Sequence, residues 1–158
     1  MASGVRATVG LFFLGVTDTM DKPKIIGDTM IVPSDPEYLS DVDTFLEAVL
    51  RGYGADESVI ADVAISVSEI VNNAMLHGNK SSSDKAVTIR VNQTNSSVEI
   101  AVSDEGGGFD PDTIDDPLAA ENLLKEVGRG IFIVRSLMDS VNIEATETGT
   151  TITIVKEI

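Results

Sequence analysis

Cysteine is absent from all 158 residues, which removes disulfide frameworks, thiol nucleophiles and thiolate metal sites from consideration. Basic residues are scarce: 11 Lys and Arg stand against 26 Asp and Glu, a formal net charge of −15. Phosphate backbones are bound by clustered cations, so this balance argues against direct nucleic-acid binding, and it disfavours a membrane surface for the same reason. The apolar segment Ala7 to Val16 (ATVGLFFLGV), preceded by Arg6, is ten residues long, where a bilayer span needs about 20. No small-residue cleavage site follows before Asp18, so a secretory leader is disfavoured against an added strand, a disordered leader or a true start at Met20. The compartment expected is the cytoplasm. Two familiar nucleotide motifs are missing as well: there is no Gly-x-x-x-x-Gly-Lys-Ser/Thr loop and no His-Arg-Asp kinase set.

What remains fits one domain large enough to bury roughly 68–70% of its unfolded surface, read as residues 30–158 with an extension over 1–29. Residues 24–33 hold β-branched side chains around Gly27 and predict a first strand. Ser34-Asp35-Pro36-Glu37 has the form of a capping box with proline in the first turn, and Leu39, Val42, Leu46, Val49 and Leu50 recur behind it at helical spacing. Gly52 and Gly54 end that helix. Asp56-Glu57-Ser58 opens a second one, reaching about His77, with Val59, Val63, Val67, Ile70 and Ala74 as its core face and Gly78 as its stop. Residues 86–92 and 98–103 read as a hairpin. Residues 109–127 carry two prolines, four aspartates and little periodicity, and irregular stretches of that length are functional or disordered. A helix over 131–138 and a closing hairpin over 141–155 complete the order. Such an order predicts a two-layer α/β sandwich, with helices on one face of a mixed sheet.

Polar groups recur along this frame in a fixed order. Glu69 and Asn73 are four apart, so a helix places them on one face about 6 Å apart along its axis. The pair joins a base to a neutral oxygen ligand of the kind Mg²⁺ prefers, although a solvated helix face explains such residues equally well in isolation. Asn72-Asn73 in mid-helix costs propensity, which speaks for a purpose. His77, the sole histidine, lies one turn further on; it serves either the helix dipole or a phosphate, with Lys80 as a second cation. Asp104 opens Asp104-Glu105-Gly106-Gly107-Gly108 after a predicted strand. A carboxylate there accepts from the exocyclic amino group of adenine and would face the oxygen of guanine unfavourably. Gly128-Arg129-Gly130 precedes a helix, as a loop end, a hinge or a phosphate cradle, and Arg129 adds a cation. Asp112, Asp115 and Asp116 read better as a solvated run than as a metal cluster. Together these groups suggest a nucleotide site using Mg²⁺.

Read in order, Glu69-x-x-x-Asn73, Asp104-x-Gly106-x-Gly108, Gly128-x-Gly130 and Gly149-Thr150 resemble the N, G1, G2 and G3 boxes of the GHKL, or Bergerat-fold, ATPases. Within them, NNAMLHGN and GRGIFIVRSLMDSV are most similar to the stand-alone serine kinases that act as anti-sigma factors, the RsbW and SpoIIAB type. The resemblance covers about Met30 to Ile158; Glu105 and Gly107 make the second box more acidic and more flexible than the pattern needs. It implies a mixed, mostly antiparallel sheet with three helices on one face and a mobile ATP lid over about 109–127. It implies ATP and Mg²⁺ as cofactors, Glu69 as general base, Asn73 on Mg²⁺ and Asp104 on adenine, with Thr150 supporting the base through water. Gly106, Gly108, Gly128 and Gly130 would hinge and cradle the lid. The partners implied are a sigma factor and a STAS-type antagonist phosphorylated on serine, with a homodimer as the assembly. Two other classes compete: a non-catalytic ATP-dependent switch, and a histidine-kinase-like domain acting on a separate protein, since the lone His77 sits inside the proposed site.

Overall fold

The computed structural model describes residues 22–82, 84–106 and 127–158. Where one first strand is predicted there is a hairpin: β1 (Lys24–Ile26) turns at Gly27-Asp28 into β2 (Thr29–Pro33), with Ile25 opposite Met30. Gly27 takes φ +61°, a left-handed conformation that β-branched neighbours avoid, so the glycine inside this apolar run marks a turn. The Tyr53 hydroxyl donates to Asp28 Oδ2 at 2.5 Å and pins that turn to the next helix. Burial, then the bond to Asp28, pushes the Tyr53 phenol up to about 12.

The N-cap is Asp35, one residue after the predicted Ser34. Asp35 Oδ1 accepts the Glu37 N–H at 3.0 Å, and Pro36 opens a 3₁₀ turn (Pro36–Tyr38) leading into α1 (Leu39–Gly52). Ser34 is buried and turned inward, its hydroxyl donating to the Lys85 carbonyl at 2.6 Å. Phe45 joins Val42, Leu46 and Leu50 in the buried stripe of α1, while Leu39 and Val49 pack at its margin. Asp56 then caps α2 (Glu57–Asn73) by accepting the Val59 N–H at 3.0 Å. The last turn of this helix widens into a π turn, Ala74–Gly78, in which the Asn79 N–H reaches back five residues to the Ala74 carbonyl at 2.7 Å. Glu57–Gly78 is long and apolar enough to cross a membrane by length and composition. One apolar face is buried, however: Val63, Val67, Ile70, Val71 and Met75 are at most 1% exposed, as in a core helix.

β3 (Ala86–Thr94) and β4 (Ser97–Ser103) form the predicted hairpin over a two-residue turn with Asn95 at φ +51°. α3 (Val127–Leu137) leads to a second hairpin of β5 (Ser140–Thr146) and β6 (Gly149–Glu157). The strands lie in the order β1-β2-β3-β4-β6-β5. Each described pairing is antiparallel, so the two-layer sandwich stands with a sheet more uniform than the mixed one expected. Alternation along β4 puts Val98, Ile100 and Val102 on the helix side, level with Val87, Ile89 and Val91 of β3 and Ile152 and Ile154 of β6. Each such side chain stabilises the fold by roughly 1.5–3 kcal/mol when fully buried. Lys156 locks α2 and α3 to the sheet, pairing with Asp62 at 3.3 Å and donating to the last-turn carbonyl of Leu137 at 2.7 Å. The predicted lid over 109–127 lies outside the described residues up to Val127, where α3 begins, as do Gly108, Asp112, Asp115 and Asp116.

Candidate nucleotide site

α2 and α3 cross where each has something the other needs. An ideal Cβ on Gly130 would lie 2.9 Å from Glu69 Oε2 and 3.1 Å from Asn73 Nδ2, so the two α2 side chains, one turn apart, converge on a single point of α3. Gly130 is buried there and Glu69 and Asn73 are half-buried. The Asn73 Nδ2 atom is buried without a hydrogen-bond partner among the described residues, and a buried amide left so costs about 1–3 kcal/mol. Which amide atom points inward is interchangeable, so the same position can present an oxygen. Gly128-Arg129-Gly130 forms the first turn of α3 and does not precede the helix. The reason is packing: Val134 and Met138 bury the face that Gly130 starts, extending the helical pattern one turn upstream of Ile131. Arg129 and His77 are exposed, on α3 and on the π turn.

A second cluster forms around Asp104, one residue past β4. Its backbone N–H donates to the Thr150 carbonyl at 2.9 Å, and its Oδ1 accepts the N–H groups of Gly106 at 3.0 Å and Thr150 at 3.1 Å. Burial pushes the Asp104 carboxyl above the usual range, and the two backbone N–H groups pull it part of the way back. With Oδ1 committed to the backbone, the second carboxylate oxygen holds the remaining acceptor capacity. That oxygen lies against Gly78, where a Cβ would stand 2.2 Å away, and a Cβ on Gly106 would stand 1.7 Å from the Gly78 carbonyl oxygen. Thr150 is 2% exposed, and its hydroxyl has no partner among the described residues.

Three residues of this arrangement escape a reading by periodicity. Gly78, predicted only as a helix stop, is the floor under Asp104. Asn79 is 1% exposed and joins four segments: its amide donates to Ser34 Oγ at 2.8 Å and to the Ala86 carbonyl at 3.0 Å, and its Oδ1 accepts the Glu105 N–H at 2.8 Å. Glu105, predicted only as surplus acidity, accepts the Ala86 N–H at 2.5 Å and closes the loop from the other side. The signal available was Asn79 directly after the helix-stopping Gly78, a polar residue where the chain must turn back into the core.

The donor set fits ATP with Mg²⁺. Asp104 offers an acceptor suited to an amino group, and Asn73 and Thr150 offer buried polar atoms without partners. Among the described residues no three His, Asp or Glu side chains gather to hold a metal. A single Asn73 oxygen accords with Mg²⁺, which keeps waters and takes its other ligands from phosphates.

The model of the histidine kinase-like ATPase domain matches residues 32–156. The chain belongs to the GHKL, Bergerat-fold ATPase superfamily. Two serine-protein kinases RsbW, of Staphylococcus aureus strains JH9 and Newman, are each 35% identical to it over 136 residues, 82% of this chain and 85% of theirs. This GHKL domain is therefore related to the anti-sigma factor kinases. Among solved structures, the RsbU and RsbW domains of a Mycobacterium tuberculosis protein match with a TM-score of 0.60 at 22% identity, over 82% of this chain and 32% of that one. The histidine kinase domain of an Erythrobacter litoralis blue-light activated histidine kinase matches with a TM-score of 0.51 at 20% identity, over 80% of this chain and 61% of that one. Both support the GHKL fold.

Proposed function

We propose that this GHKL domain is a cytoplasmic anti-sigma factor and serine-protein kinase, which binds a sigma factor and transfers the γ-phosphoryl group of ATP to a serine of a STAS-type antagonist. The observation that carries the proposal is the convergence of Glu69 and Asn73 on Gly130, within a domain whose Asp104 is held for a base by two backbone N–H groups. In this reading Asp104 accepts the adenine amino group, Thr150 supports it, and His77, Arg129 and the N–H groups of Gly128 and Gly130 face the phosphates. Asn73 would hold Mg²⁺, which neutralises phosphate charge. The serine Oγ–P bond forms as the bond from the γ-phosphorus to the bridging oxygen breaks, ADP leaves, and Glu69 Oε2 takes the serine proton. Positioning and charge supply most of the rate in such transfers. Similarity to the Staphylococcus aureus kinases over most of both chains supports the same reading.

Glu69 separates a kinase from a mere binding switch. Incubation with labelled ATP, Mg²⁺ and the STAS-domain protein of the same organism is expected to label one serine. Glu69→Ala should lower that rate by about 10²–10⁴-fold while ATP affinity stays within a factor of about three of the parent. Equal labelling by the variant would remove Glu69 as the base. Absence of labelling by the parent would remove the serine-kinase reading.

A further inference from the structure

The outer face of α3 bears a side chain that the nucleotide site does not use. Phe132 is 72% exposed, the most exposed large apolar residue among those described. Arg135, one turn on, is exposed and makes no ion pair among the described residues. α3 from Val127 to Leu137 contains no acidic residue, although the whole chain carries −15. An exposed phenylalanine alone means little, and so does a solvated arginine. Together they form an apolar anchor beside a cation, the composition enriched at the centres of protein interfaces.

Position decides what this stripe meets. The opposite side of the same helical turn carries Gly130, against Glu69 and Asn73. A protein seated on the outer face is thus held about one helix diameter, 10–12 Å, from the candidate chemistry. The strong negative charge elsewhere repels an acidic protein, so this stripe is where one can land.

We propose that Phe132 and Arg135 form the docking surface for the phosphoacceptor protein, a partner with an apolar recess rimmed by carboxylates next to its serine. This rests on the serine-kinase reading, and direct binding tests it separately from phosphoryl transfer. The probe is the purified STAS-domain protein of the same organism, titrated by calorimetry against the full chain with ADP and Mg²⁺. Phe132→Ala should weaken binding at least tenfold. Arg135→Glu should weaken it severalfold and flatten its salt dependence, and ATP affinity and melting temperature should match the parent for both. If the parent also labels the serine, KM for the STAS protein should rise in step while kcat holds. Unchanged binding by both variants overturns the docking surface even where serine labelling is intact. Loss of ATP affinity in Phe132→Ala also overturns it, by assigning the side chain to the nucleotide site. If the parent labels no serine, the kinase reading fails, and the binding ratio of parent to variant still decides the surface.

Discussion

Gly130 illustrates how much a single missing β-carbon can control. Alanine is favoured over glycine inside a helix by about 1 kcal/mol, so Gly130→Ala should hold or raise the melting temperature. Its methyl would intrude at 2.9 Å on Glu69 Oε2 and 3.1 Å on Asn73 Nδ2, both ends of side chains that can swing away. Displacing them by about 1 Å is enough to cost a hundredfold in rate. A thermal melt and an ATP-turnover assay on the same sample should show stability kept and turnover reduced by at least about tenfold; unchanged turnover would mean that the two side chains need not converge there. Glu69 and Asn73 were readable as a pair from their spacing alone. Their contact with Gly130 was not, because no local rule links a residue on one helix to a glycine about 60 positions later.

At the scale of elements, the widened end of α2 organises the site. The π turn at Ala74–Gly78 adds a residue to one turn, and such turns recur at functional sites. It delivers Gly78 to Asp104 and Asn79 to Ser34, Ala86 and Glu105. Removing the Asn79 amide leaves the Glu105 N–H and the Ala86 carbonyl short of a partner, so Asn79→Ala should destabilise by about 3 kcal/mol. A urea titration would show it as a lower midpoint with an unchanged slope; an unaltered midpoint would demote Asn79 from its junction. Helices and hairpins were legible here because apolar period and turn residues are local signals. Ser34 looked like a cap because its spacing to Glu37 is right, yet its hydroxyl is turned inward, donating to the Lys85 carbonyl and accepting from the Asn79 amide.

Over the whole molecule the charge of −15 acts as a standing repulsion that compactness must overcome. Screening shortens from roughly 30 Å at about 0.01 M salt to about 3 Å at about 1 M. The melting temperature should therefore rise by about 3 °C or more across that range, read by circular dichroism in sodium chloride; a fall would show that attractive ion pairs such as Lys156–Asp62 outweigh the repulsion. The same charge makes the Phe132–Arg135 stripe stand out, since a local absence of acid is informative only against an acidic background. Composition and apolar period were sufficient to determine the layers, and the order of polar groups carried the resemblance to the superfamily and singled out Glu69, Asn73 and Asp104 as candidates, because each is written locally or in sequence order. Tertiary structure alone decided that Gly27 breaks a strand into a hairpin, that Gly130 lies under Glu69, that Gly78 floors Asp104 and that Phe132 faces outward. Each depends on which surfaces meet after folding, and close packing between distant segments leaves no periodic trace in the chain.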